Sequence, residues 1–142
     1  MPDFDRSQSE ERERRWQRVR GFMKTKGLNG LVVTGSPHGE PLDAYLSNWI
    51  PGCIVIFPLE SEPTLLVRMI PEMLALRPET PENERPWIKD IRPGARGAAI
   101  VAVLQEKGLE RGSIGVVGLG NLGADWEGWI PFKTWERVLS RL

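Results

Sequence analysis

The chain has 142 residues and one cysteine, Cys53, a length that suits one domain with a core that needs no disulfide staple. With 19 Lys plus Arg against 19 Asp plus Glu, its formal net charge is zero, which argues against a nucleic-acid binder reliant on surplus cations. No apolar stretch approaches the ~18 residues of a membrane span, and a lone cysteine makes neither an internal disulfide nor a thiolate zinc cluster.

The charged segment Met1–Arg20 has no apolar core of the secretory type, and these features together favour the cytoplasm. Residues 7–26 have the pattern of a helix. Ser7 and Glu10 fit a capping box, Glu10 with Arg14 and Glu11 with Arg15 stand four apart, and Gly27 is a natural stop. Trp16, Val19, Phe22 and Met23 supply the expected buried face. The arginine-rich run from Arg12 to Arg20 is interleaved with Glu10, Glu11 and Glu13, the pattern of a solvated helix face.

Residues 31–34 form a short β-branched run, and Gly35, Ser36, Pro37 and Gly39 mark a loop after it. A short helix fits Pro41–Asn48, with Pro41 in its first turn. Residues 53–57 are a continuous apolar run and residues 64–69 a second one, with a turn at 59–62, so a hairpin is expected there. Cys53 sits in the first run as a small buried hydrophobe. Prolines 71, 78, 81 and 86 mark an irregular excursion. A strand is expected at Trp87–Ile91, a helix at Arg96–Lys107, a strand at Ile114–Val117 and a last helix at Pro131–Leu142. The second helix buries Ala99, Ile100, Val103 and Leu104, and the last buries Trp135, Val138, Leu139 and Leu142. Helices alternating with strands imply an α/β domain with a layered, mixed sheet. The end on Arg141–Leu142, inside a helix and without a polar tail, suggests a domain cut from a longer protein.

The available chemistry is narrow. His38 is the only histidine, so a zinc site with two or more histidines is excluded. No serine stands in a G-x-S-x-G elbow that would make His38 the base of a triad. Gly118–Gly123 matches G-x-G-x-x-G letter for letter after a strand. Gly128 and Pro131 then interrupt the place where the dinucleotide-binding helix belongs, so a glycine-rich loop is expected and no NAD site. Of the six tryptophans, Trp16 and Trp135 fit helix faces. Trp49, Trp126 and Trp129 fall in loops, where packing and contact roles are both open.

Taken together, Lys26–Val33, Tyr45-Leu46-Ser47-Asn48-Trp49, Cys53–Phe57, Glu62–Val67, Trp87–Arg92 and Gly112–Val116 resemble, in order and spacing, the N-terminal domain of the creatinase and prolidase family, which includes the Xaa-Pro aminopeptidases. The resemblance covers nearly the whole chain. It implies a mixed sheet of about five or six strands with helices on both sides, and a separate catalytic pita-bread domain that would begin just after Leu142 and is absent from residues 1–142. In the family's peptidases that domain holds two divalent metal ions (Mn, Co or Zn), usually through two aspartates, one histidine and two glutamates; creatinase works without metal. None of those motifs occurs here, so no catalytic, cofactor-binding or metal-binding residue carries over. The resemblance further implies a homodimer or larger assembly, a peptide substrate bound through the missing domain, and a position near a neighbouring subunit's active site. Tyr45, Asn48 and Trp49 are the candidates for substrate or partner-subunit contact: Tyr45 and Trp49 are four apart, and Pro51 and Gly52 break the turn before the next strand. A second reading is a free-standing binding module that keeps the fold without the enzyme.

Overall fold

The computed structural model describes residues 4–35, 41–68, 77–120 and 130–142. His38, Met69, Pro71, Trp126, Trp129 and the last three positions of the glycine motif lie outside them.

The first helix, α1, spans Phe4–Lys26. It starts before the expected Ser7, which therefore lies inside the helix and is not its cap. Glu10 pairs backward with Arg6 at 3.0 Å, not forward with Arg14. Arg14 and Arg15 both converge on Glu11, each at 2.7 Å, and hold its carboxyl down at about 2. Trp16 and Met23 are buried and Val19 packs beside them. Phe22, expected in that face, is 54% exposed. Six residues beyond Trp16, it sits about 240° around the helix, whereas Met23 comes back to within about 20° of Trp16. At the C-terminus Gly27 turns left-handed, with φ 66°. Leu28 N donates to Met23 O and Gly27 N to Lys24 O, the paired bonds of a Schellman end.

Strand β1 covers Gly30–Thr34, α2 Leu42–Ser47, β2 Ile54–Pro58, β3 Thr64–Val67 and β4 Asp90–Pro93. Helix α3 follows at Gly97–Glu106, then β5 at Ile114–Val117, β6 at Leu119–Gly120, β7 at Ile130–Pro131 and α4 at Phe132–Leu139. A five-stranded sheet runs in the order β4-β3-β2-β1-β5, and β6 and β7 make a separate parallel pair. β2 pairs antiparallel with both β1 and β3, so the expected hairpin is present. β4 joins β3, and β5 joins β1, in parallel. The sheet is mixed, as expected, and helices cover both of its faces.

Burial on both faces explains why the central strands are continuous apolar runs and not alternating ones. Leu31, Val33, Val55, Phe57, Leu65 and Val67 point to one face and meet Trp16, Met23 and Leu46 from α1 and α2. Val32, Ile54, Ile56 and Leu66 point to the other and meet Ile100, Val103 and Leu104 from α3 and Val138 from α4. Cys53 is a buried thiol in the first layer.

Two expected elements shift. The strand anticipated at Trp87–Ile91 is instead β4, because it forms only where β3 offers a partner, from Thr64↔Asp90 to Val67↔Pro93. Trp87 precedes it, its indole N–H donating to Gln8 Oε1 at 3.1 Å. The last helix stops at Leu139. Val138 is buried and Trp135 packs against the same layer, but Leu139 and Leu142, expected in the core, are 61% and 39% exposed. Helix α4 rests on α3 at Gly97, where a Cβ would come 3.1 Å from the Thr134 carbonyl oxygen. Leu139 lies about 100° around from Val138, beyond that contact, and Leu142 follows the helix end.

Candidate functional site

The three residues singled out from the sequence fall on α2 and the loop leading from it to β2. Helix α2 is short and owes its position to outside contacts. Trp16 Nε1 donates to Leu46 O at 2.9 Å, and Trp87 N to Ser47 O at 2.8 Å. Arg15 Nη1 donates to Tyr45 O at 3.1 Å. The Arg15 guanidinium also lies over two rings, 4.8 Å from the Tyr45 centroid and 5.0 Å from that of Trp87. Each such contact stabilises by about 0.5–1 kcal/mol when partly exposed. Tyr45 is thus a half-buried ring clamped to α1.

Asn48 ends the helix in the left-handed conformation at φ 51°, ψ 39°, its N–H donating to Ala44 O. Short polar side chains tolerate that region best after glycine. The reversal means that Trp49 does not continue the helical register, so its spacing from Tyr45 does not make a shared helical face. Both rings nevertheless pack against the core layer built on Trp16 and Phe57. The Trp49 indole N–H is buried with no acceptor among the described residues. Asn48 and Pro51 are exposed, and Ile50 is 47% exposed. The outward-facing residues of the loop are therefore Asn48, Ile50 and Pro51, with Tyr45 and Trp49 forming its flank.

What holds the loop is Asp43, a residue the sequence did not single out. It is fully buried in the first turn of α2. Its Oδ2 accepts from Gly52 N at 2.7 Å and from Cys53 N at 2.8 Å, so one oxygen ties the far end of the loop back to the helix. Gly52 has φ 101°, a backbone suited to glycine. Burial pushes the Asp43 carboxyl above its ordinary range, opposed by the amides of Cys53 and Gly52. Only the first-turn position of Asp43 is visible in the sequence; an acceptor for amides nine and ten residues on follows no local spacing.

Among the described residues no three of His, Cys, Asp or Glu converge on a point that could hold a metal ion, and no described helix is long and apolar enough to cross a membrane. The glycine motif begins with Gly118 at φ 86°, but Leu119–Gly120 continues as strand β6 instead of opening a helix.

No family model matches the chain, and no curated protein matches it in sequence. A solved structure does: an Xaa-Pro aminopeptidase from Streptococcus pyogenes superposes with a TM-score of 0.61 at 17% identity, covering 94% of this chain and 87% of that one. The two chains share a fold. High cover on both sides means that they are also similar in length. The S. pyogenes chain supplies the α/β frame for comparison, and at this identity its chemistry stays its own.

Proposed function

We propose that the chain is the non-catalytic N-terminal domain of a metal-dependent Xaa-Pro peptidase or creatinase-like hydrolase, and that it contributes to oligomerisation and shapes the active site of a partner subunit. The observation that carries this reading is the likeness to the S. pyogenes aminopeptidase over 94% of the chain. The order of sequence segments that resembles the creatinase and prolidase N-terminal domain supports it independently. In this reading the divalent metal ions and the peptide belong to a separate catalytic domain, the assembly is a cytoplasmic homodimer, and residues 45–51 make the contact. Tyr45 and Trp49 form the wall of the contact, and Asn48 faces outward beside Ile50.

Two measurements test the reading. The purified chain is incubated with proline-containing dipeptides, with and without manganese or cobalt; no turnover above a control is expected, and metal-stimulated hydrolysis would refute a non-catalytic role. In the protein that carries both domains, Trp49→Ala is followed by steady-state kinetics on two- and three-residue substrates, paired with thermal denaturation. A raised KM or an altered length preference is expected. Unchanged kinetics on both substrates would remove Trp49 from the site.

A further inference from the structure

We propose that Arg15 is a positioning residue for the segment that carries Tyr45: its guanidinium, aimed by Glu11, sets the Tyr45 ring and closes the carbonyl end of α2. This inference rests on the reading of residues 45–51 as part of the site. Arg15 acts through Tyr45 and is not itself assigned to the contact.

Three observations converge. First, α2 is six residues long, too short to hold itself in water, and the donors that serve its last carbonyls come from other elements. Tyr45 O accepts from Arg15 Nη1 at 3.1 Å, Leu46 O from Trp16 Nε1 at 2.9 Å and Ser47 O from Trp87 N at 2.8 Å. Of these three bonds, the one from Arg15 has a charged donor, and such bonds are the stronger ones. Second, the same guanidinium lies over both the Tyr45 and the Trp87 rings, at 4.8 and 5.0 Å. Trp87 is fixed independently, its backbone N–H on Ser47 O and its indole N–H on Gln8 Oε1. Arg15 therefore ties the Tyr45 ring to one that is anchored at two points. A planar guanidinium can stack on a ring and bond a carbonyl at once, which an ammonium does less well. Third, the guanidinium is aimed. Arg15 Nε donates to Glu11 Oε1 at 2.7 Å, one helical turn away, while Nη1 is directed at α2. Arg6 and Arg14 bond glutamates of α1 itself. Arg20 also reaches off the helix, but to the core rings Trp16 and Phe57 and to Ser61 O. Two arginines of one helix thus have different charges to keep: Arg20 bears on the sheet, and Arg15 bears on α2 and Tyr45.

Tyr45 is the chain's only tyrosine, so in a chain isotopically labelled at tyrosine its ring resonances report on it alone. They are recorded for wild type, Arg15→Met, Arg15→Lys and Arg20→Met, with backbone amide exchange alongside. In Arg15→Met the ring resonances are expected to move from their wild-type positions toward those of the unfolded chain. The Asn48 amide, which donates to Ala44 O within α2, should exchange about tenfold faster or more as the charged bond that closes the helix is lost. The amides of β1 and β2 should keep their protection. Arg15→Lys keeps the charge and most of the stem, and should move the ring resonances in the same direction, because an ammonium does not replace the stacked fork. Arg20→Met should leave the Tyr45 resonances and the Asn48 amide as in wild type. Tyr45 resonances at their wild-type positions in Arg15→Met would overturn the positioning role. So would a rise in exchange of equal size throughout β1 and β2, or an equal movement of the Tyr45 resonances in Arg20→Met. Wild-type resonances in Arg15→Lys would overturn the part given to the guanidinium plane. Failure of the contact reading shows separately, as unchanged kinetics in Trp49→Ala, and leaves the ring result to decide what Arg15 does to Tyr45.

Discussion

The pairing of Phe57 with Trp16 joins β2 to α1 through the first core layer, and its contribution can be isolated. The Phe57 ring is fully buried and meets Trp16 edge to face, with centroids 5.7 Å apart and planes at 81°. Arg20 lies 5.1 Å from the Phe57 centroid and 5.7 Å from that of Trp16. Phe57→Leu keeps the site apolar, so its repacking cost should stay below about 1.5 kcal/mol. It also removes a ring pair worth about 0.5–1.5 kcal/mol and a cation–π contact worth about 0.5–1 kcal/mol. A loss of about 1.5–3 kcal/mol is expected. For 142 residues, at about 2.1 cal/mol/K each, the unfolding entropy is about 0.3 kcal/mol/K, so Tm should fall by roughly 5–10 °C. The assay is urea denaturation of wild type, Phe57→Leu, Trp16→Leu and the double variant. Trp16→Leu also strands the Leu46 carbonyl that its indole N–H serves at 2.9 Å, but that cost appears in both halves of the cycle and cancels. The coupling energy should be about 0.5–1.5 kcal/mol. Repeating the cycle with Arg20→Met separates the cation's share. A coupling energy within about 0.3 kcal/mol of zero, at the limit of additivity, would refute the claim that the rings interact beyond the area they bury.

Three more perturbations test other parts of the structure. Val55→Ala, at a fully buried site in the central strand β2, should destabilise by about 1–3 kcal/mol through lost burial and a residual cavity; an unchanged urea midpoint would contradict that packing. Burial raises the folded-state pKa of Asp43, so its contribution to stability is fullest below the unfolded value of about 3.9 and declines as pH rises through the folded value. Stability of wild type relative to Asp43→Asn should therefore fall from pH 4 toward neutrality, and a rising or flat difference would show that the carboxylate is better solvated than its burial implies. Asp90 is shifted the other way, held down by Arg92 and by the Thr64 hydroxyl. That contribution is present at neutral pH and lost as pH falls through the folded value, so Arg92→Met should flatten the acid limb of the stability curve. An acid limb identical to wild type would count against the Arg92 pairing.

The central sheet was legible because both its faces are covered, which leaves long apolar runs with clear turn residues between them. The helix end at Gly27 was legible for a local reason: it turns left-handed at φ 66°. Elements that depend on a distant partner were harder to read. β4 begins where β3 begins, and nothing within residues 87–91 reveals that. Phe22 and Leu139 were expected in the core from their helical spacing to apolar neighbours, but at 54% and 61% exposed they lie at the margin of that stripe, outside the contacts that their helices make. In the loop the sequence drew attention to Tyr45 and Trp49 by size. It was silent on Asp43, whose partners lie across a reversal of the chain, and it gave Arg15 only its pairing with Glu11, not the reach of its guanidinium to Tyr45, 30 residues away.

The sheet order also fixes when its strands can be assembled. The nearest β2–β3 pair, Ile56↔Thr64, closes a separation of 8 residues, 64 minus 56. The β1–β5 pair Gly30↔Ile114 closes one of 84, 114 minus 30. With loop-closure entropy growing as (3/2)RT ln n, the longer closure costs about 2 kcal/mol more. The meander of β1, β2 and β3 can therefore form early around its own apolar residues, while β5 waits for α3 to bring it alongside. Until it arrives, β1 presents an open backbone edge flanked by Leu31, Val32 and Val33. The chain is then most exposed to mispairing with another copy of itself, and the late addition of β5 closes that route.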